Sequence, residues 1–208
     1  MAARFTRRAA LAAVFSLAAC RRRPKPGSAE GAAKGDAGIA DGGVGDAARD
    51  AEAAFDGGAL YRATTGSFQV RFPEGKAPEV EHKPITGGLS VSMFKVQYGT
   101  SGYIVTFDDF NRTSGRSAEQ ILDGAKEGVL ETTGGTLDKE DPLTLEGHPG
   151  IELSVSATTS GIAMRQRVRV YLVDGRVYQL IVVAPTWSGA SASEQEFFDS
   201  FKLLRDGG

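Results

Sequence analysis

The sequence predicts an α+β domain, an antiparallel β-sheet flanked by helices, and three observations carry that prediction. Residues 162–185, IAMRQRVRVYLVDGRVYQLIVVAP, hold two β-branched and aromatic-rich runs around Asp174-Gly175. Asp-Gly suits a two-residue type I′ turn, in which both positions need positive φ. Further short runs alternate apolar and polar residues with period two and are joined by Gly- and Pro-rich turns. Only two segments combine helical spacing with a capping signal. About 145 residues of such sequence are enough for a self-sufficient core.

The first strand reads Ser67-Phe68-Gln69-Val70-Arg71-Phe72-Pro73, with Phe68, Val70 and Phe72 on one side and Pro73 closing it. Residues 78–85 form a weaker strand around Val80. Gly87-Gly88 turns into residues 89–98, where the apolar positions switch from Leu89, Val91 and Met93 to Phe94, Val96 and Tyr98. That phase change predicts a bulge or a strand packed on both faces. Residues 99–102 turn into a strand holding Tyr103, Val105 and Phe107, with Asp108, Asp109 and Asn111 in the loop that follows.

The first helix begins at Ser117, which with Gln120 forms a capping box. Its stripe is Ala118, Ile121, Leu122, Ala125, Val129 and Thr132, and Gly134-Gly135 stops it. Gly124 and Gly128 weaken the helix and read as positions of close approach to the sheet. Residues 136–146 are extended with a break at Asp141-Pro142, residues 147–150 turn, and residues 151–157 alternate again. The last helix begins at Ser193, with Glu196 completing a second capping box and Phe197, Phe198, Phe201 and Leu204 on its apolar face.

In the central hairpin, the Asp174-Gly175 turn pairs Val173 with Arg176, Tyr171 with Tyr178, Arg169 with Leu180 and Val168 with Ile181. One face then carries Val168, Val170, Leu172, Val177, Ile181 and Val183, and is dry. The other carries Arg165, Arg167, Arg169 and the Tyr171–Tyr178 pair, and is half-wet.

The 24 basic and 26 acidic residues give a net charge of −2. The first nineteen residues hold three of the basic ones and no acidic one, so the remainder stands at −5 and carries no nucleic-acid footprint. Arg4, Arg7 and Arg8 precede an apolar run over residues 9–19, too short for the ~20 residues that span a bilayer but suited to a signal peptide. The run ends Leu17-Ala18-Ala19-Cys20, which resembles the lipobox of bacterial lipoproteins. The resemblance implies removal of residues 1–19 and a diacylglyceryl and palmitate-bearing Cys20. The alternative is a signal peptide cut elsewhere, with Cys20 incidental. Thr6-Arg7-Arg8 also resembles a twin-arginine export signal. Arg21 stands where an inner-membrane retention Asp is usual in Gram-negative lipoproteins, which favours the outer membrane. The resemblance thus places the chain in the cell envelope, held at the periplasmic face of a membrane.

Residues 20–59 are rich in Gly, Ala, Asp and Lys and nearly lack bulky apolar residues, the composition of a flexible linker. About 35 such residues span ~30–35 Å. The organisation expected is therefore signal peptide 1–19, lipidated Cys20 and linker 20–59, and globular domain 60–206.

Within that domain, Phe68-x-Val70-x-Phe72-Pro73, a helix, Gly147-x-Pro149-Gly150-Ile151-Glu152-Leu153, Arg176-Val177-Tyr178-Gln179-Leu180 and Phe197-Phe198-Asp199-Ser200-Phe201 follow in order. The series resembles the PsbP-like and Mog-like superfamily, which includes DcrB-like and LpqN-like lipoproteins. The resemblance implies a three-layer α/β/α sandwich whose members mostly bind or scaffold. No partner-binding residue carries over to a position of this chain.

A search for chemistry yields no catalytic residue, metal ligand set or cofactor motif. His82 and His148 read as surface residues without a third ligand at metal spacing. Asp108-Asp109 with Asn111 lacks the spacing of an EF-hand, and Ser114, Ser154 and Ser160 have no histidine nearby in sequence. The arginine stripe is the distinctive feature. Arg165, Arg167 and Arg169 project about 7 Å apart, an arrangement for binding an anionic headgroup, glycan or acidic partner. Against this stands neutralisation by neighbouring strands: pairing Ala157 with Ile162 sets Glu152 opposite Arg167. The expectation is a non-enzymatic, membrane-tethered module with a protein or envelope partner, no nucleic acid and no cofactor. Small-ligand capture and hydrolysis, which needs a base within reach of a nucleophile, are the alternatives.

Overall fold

A computed structural model of the 208-residue chain describes residues 60–85, 89–109 and 115–204. The segments read as signal peptide and linker, with Cys20, Gly87-Gly88, Asn111 and Ser114, lie outside them. Seven antiparallel strands form the main sheet: β3 (Glu79–Ile85), β4 (Leu89–Tyr98), β5 (Ser101–Asp109), β6 (Thr136–Leu145), β7 (His148–Thr159), β8 (Ile162–Val173) and β9 (Arg176–Pro185). Their order is β3-β4-β5-β9-β8-β7-β6. The helix α1 (Ala118–Thr133) covers one face. The other is covered by α2 (Ala192–Ser200) and a three-stranded sheet of β1 (Tyr61–Ala63), β2 (Phe68–Val70) and β10 (Lys202–Leu203). The α+β class is thus the observed one, and its third layer is part helix, part small sheet.

The hairpin is organised by its turn. Asp174 and Gly175 both have positive φ (49° and 86°), and β8 and β9 pair in the expected register, Tyr171 opposite Tyr178 and Arg169 opposite Leu180. The half-wet face is observed on β8, where Arg165, Arg167 and Arg169 are half-buried, and is corrected for the Tyr171–Tyr178 pair and for β9. Every residue of β9 from Val177 to Pro185 is buried, because α1 packs over Val177, Ile181 and Val183 while the aromatic cluster covers Tyr178, Leu180 and Val182.

In β4 the phase change marks burial on both faces. Its registers with β3 and β5 run without a shift, and Met93 enters the α1 core while Phe94 and Val96 enter the aromatic one. Asp108 and Asp109 belong to β5 rather than to the following loop.

Two turns and one strand differ from expectation. The β6–β7 turn is Glu146-Gly147, both at positive φ, so His148, Pro149 and Gly150 open β7. Asp141-Pro142 does not break β6. That strand is an edge of the sheet, where a missing N–H costs no ladder bond. The β7–β8 turn is Ser160-Gly161, which sets Thr159 opposite Ile162 and shifts Glu152 to face Arg169.

The helix α1 starts as expected, with the Ser117 hydroxyl and the Gln120 side chain capping each other's backbone N–H, and it ends at Gly134 with φ 57°. The helix α2 starts two residues early: Ser191 caps it by accepting from the Glu194 N–H. Ser191-x-x-Glu194 competes with Ser193-x-x-Glu196, and the earlier start lets Glu194 reach Arg165.

Gly124 and Gly128 are not positions of close approach, since a Cβ built on either meets nothing within 4 Å. Gly124→Ala and Gly128→Ala should therefore each raise stability in urea unfolding by about 0.5–1 kcal/mol, the helix-propensity gain. Gly150→Ala should do the opposite by about 1–3 kcal/mol, because its Cβ would lie 2.4 Å from the Val170 carbonyl oxygen.

Candidate functional site

The strand β8 presents Arg165, Arg167 and Arg169 on alternate positions toward α2, as strand periodicity requires. The structure brings all three together with Glu152, the neutralising neighbour expected beside Arg167, and with further partners on and just before α2 that the sequence spacing did not reveal. Arg165 donates to both carboxylate oxygens of Glu194, one at 2.9 Å, and to the Gly189 carbonyl oxygen. Glu194 is only 2% exposed. Arg167 Nε donates to one oxygen of Glu152 at 2.6 Å, and Arg169 Nε to the other at 2.5 Å. Arg167 also reaches Gln195 at 3.0 Å, and Arg169 reaches Asp199 at 3.3 Å.

Phe198 completes the arrangement. The guanidinium carbons of Arg167 and Arg169 lie 4.8 Å and 4.9 Å from its ring centroid, within the range of cation–π attraction. Gln195 donates to both Asp199 oxygens. Three guanidiniums thus meet three carboxylates, from Glu152, Glu194 and Asp199. An outside anion has to displace one of these before it can bind the stripe. Glu152, predicted opposite Arg167, faces Arg169 and bridges both.

Burial alone would raise the Glu152 pKa, but the hydrogen bonds from Arg167 and Arg169 outweigh it and hold the carboxyl below its usual range. Burial pushes the Tyr103 phenol up, partly offset by its hydrogen bond with Ser191. Burial likewise raises Tyr171. At the far edge of the sheet, Glu81 is lowered by hydrogen bonds from Lys95 and Lys83.

The structure also supplies a contact absent from the sequence reading. His82 Nδ1 lies 2.9 Å from the hydroxyl of Ser92, its cross-strand partner between β3 and β4. Pairing the two strands across Gly87-Gly88 would have found it, since Ile85 faces Leu89 and counting back sets His82 opposite Ser92. Ser92 is 8% exposed and sits mid-strand, between two hydrogen-bonded neighbours. His148 begins β7, opposite Leu145. Among the described residues no group of three or more His, Cys, Asp or Glu side chains is arranged to hold a metal.

Replacing Glu152 with Gln should cost about 1–3 kcal/mol, the penalty for leaving a buried charged donor poorly paired. The depressed pKa also fixes a direction. Its contribution is complete above the unfolded carboxylate value of ~4.3 and is lost as pH falls through the lower folded value. Urea midpoints should accordingly drop on acidification, with a shallower drop in the Glu152→Gln variant.

No protein-family model matches the sequence, and no curated protein matches it. Among solved structures the chain is similar to cyanobacterial PsbP (CyanoP) from Synechocystis sp. PCC 6803, at 13% identity and a TM-score of 0.49, with 79% of this chain and 98% of that one covered. A protein of unknown function from Pseudomonas aeruginosa is similar at 14% identity and a TM-score of 0.38, covering 61% of this chain and 82% of that one. The T6SS immunity protein TplEi of Pseudomonas aeruginosa, solved with a peptide, is similar at 12% identity and a TM-score of 0.37, covering 66% and 59%.

Proposed function

We propose that this chain is a cell-envelope lipoprotein whose globular domain is a non-enzymatic module for binding a protein or envelope component. The observation that carries the reading is the run of Arg4, Arg7 and Arg8, the apolar residues 9–19 and Leu17-Ala18-Ala19-Cys20. A thiol at that position receives diacylglycerol, and acylation of the new amine supplies the further chain that stable anchoring needs. The linker then gives the domain reach from the membrane. The domain itself we read as PsbP-like. Supporting this, the quoted motifs fall in order on β2, β7, β9 and α2.

The His82–Ser92 contact favours one second reading, a hydrolase with Ser92 as nucleophile and His82 as base. Its strand position counts against it. The backbone around Ser92 belongs to two strand ladders, which leaves no pair of N–H groups aimed at a developing oxyanion.

Palmitate fed to cells expressing the chain should label it, and Cys20→Ser should abolish the label and release the protein from the membrane fraction. A label that persists in Cys20→Ser removes the anchor at this residue. A fluorophosphonate probe should leave the wild-type chain unlabelled; labelling lost in Ser92→Ala would establish the hydrolase reading instead.

A further inference from the structure

The domain has two chemically different ends. Strand register gathers the stretches 99–102, 132–136, 158–161 and 185–193 at one of them, through Gly102 opposite Val183, Thr136 opposite Ser156, Thr159 opposite Ile162 and Met164 opposite Pro185. None of these four stretches contains a charged residue, in a chain that is 24% charged. The nearby β2–β3 connection holds Glu74 and Lys76, which pair with each other at 3.2 Å. The opposite end carries the Glu146-Gly147 and Asp174-Gly175 turns and Asp108.

Trp187, the chain's single tryptophan, stands on the uncharged end at 67% exposure, the exposed large apolar side chain among the described residues. Its loop is pinned on both sides. The Ser188 hydroxyl donates to the Pro185 carbonyl oxygen at 2.7 Å, Arg165 holds the Gly189 carbonyl, and Ser191 caps α2. The ring is therefore held out by the frame and has no short route back to the core.

β1 runs away from this end. Phe68, opposite Ala63, packs on Phe107 and Tyr178 near the Asp174-Gly175 end, whereas Tyr61 packs on Phe72, which packs on Phe197, a neighbour of Tyr103. β1 consequently begins on the Trp187 side of the domain.

We propose that the Trp187 end of the domain docks on the lipid surface to which the chain is tethered, an inference that rests on the anchored reading above. Tryptophan favours the headgroup level of a bilayer, where its ring is apolar and its N–H stays hydrogen-bonded. A hydroxyl-rich rim whose four loops carry no charge approaches that level with little ion desolvation, its nearby charges Glu74–Lys76 and Arg165–Glu194 being paired. The carboxylates of the opposite end stay away from an anionic leaflet.

Trp187 is its own probe. The full-length acylated protein is reconstituted in vesicles of phosphatidylethanolamine and phosphatidylglycerol, with and without brominated acyl chains. Its emission should shift to the blue relative to the Cys20→Ser chain in buffer, and brominated lipid should quench it. Introducing charge with Thr100→Glu and Ala190→Glu should remove both effects while the protein still floats with the vesicles and keeps its circular dichroism. Acylated chain that floats while Trp187 keeps its water-exposed emission overturns docking and leaves the anchor standing. Quenching unchanged in the charged variant overturns it too, as does a blue shift produced by purified peptidoglycan and not by vesicles. Where palmitate labelling fails, the anchor falls separately, and unacylated chain added to the same vesicles decides docking by the same emission shift.

Discussion

The structure depends on covering β9 from both sides at once. A strand whose residues are buried on both faces must lie inside a sandwich, and the remaining elements follow from that requirement. On one side α1 lays Leu122, Ala125 and Val129 over the aliphatic face. On the other, the third layer is built from rings: Phe68, Phe72, Phe197 and Phe201 join Phe94, Phe107, Tyr103 and Tyr178. Burying each such ring is worth about 1.5–3 kcal/mol, with edge-to-face contacts such as Phe68–Phe94 adding to it. This aromatic layer and the aliphatic one under α1 together drive closure of the sandwich.

The arginine lattice has a different task. Half-buried ion pairs contribute little net stability, because removing each charge from water offsets most of the attraction. What they provide is orientation. Arg167 and Arg169 share one carboxylate and one aromatic ring, so α2 fits β8 in a single rotation and height. A one-turn slip of α2 would bring Phe198 off both guanidiniums and strand Glu194 in the core without Arg165. The stripe that looked like a docking surface along the strand therefore acts between layers of the same domain.

What could be read in the sequence was local. The β8–β9 register follows from two turn residues, α1 from its capping box, and the double burial of β4 from a phase change over ten residues. The differences arise where distant segments decide. Pro142 sits comfortably in β6 only because no strand lies beyond it. The early start of α2 goes with a pairing of Glu194 to Arg165, twenty-nine residues before that glutamate. The small sheet joins β2, whose alternation is legible, to β10, which at two residues is too short to carry any periodicity. The β7–β8 connection reads as the four residues 158–161, with Ala157 opposite Ile162, whereas the turn is the two residues Ser160-Gly161, because Ser160 takes a positive φ that serine rarely adopts. That one turn moved Glu152 from Arg167 to Arg169. The arginines themselves were visible by spacing, but their partners on α2 were not.

The two structural devices meet in the loop that joins β9 to α2. Arg165 closes the lattice by holding Glu194, and the same guanidinium holds the Gly189 carbonyl. The pairing that orients α2 thus also fixes the backbone two residues beyond Trp187. An exposed tryptophan on a loose loop would fold against the nearest apolar surface, since the ring gains by leaving water. Here the loop is tied at Pro185, Gly189 and Ser191, so the ring remains displayed. A charge pair inside the domain and an apolar group outside it are in this way parts of one construction, with the internal pair paying the ordering cost that display requires.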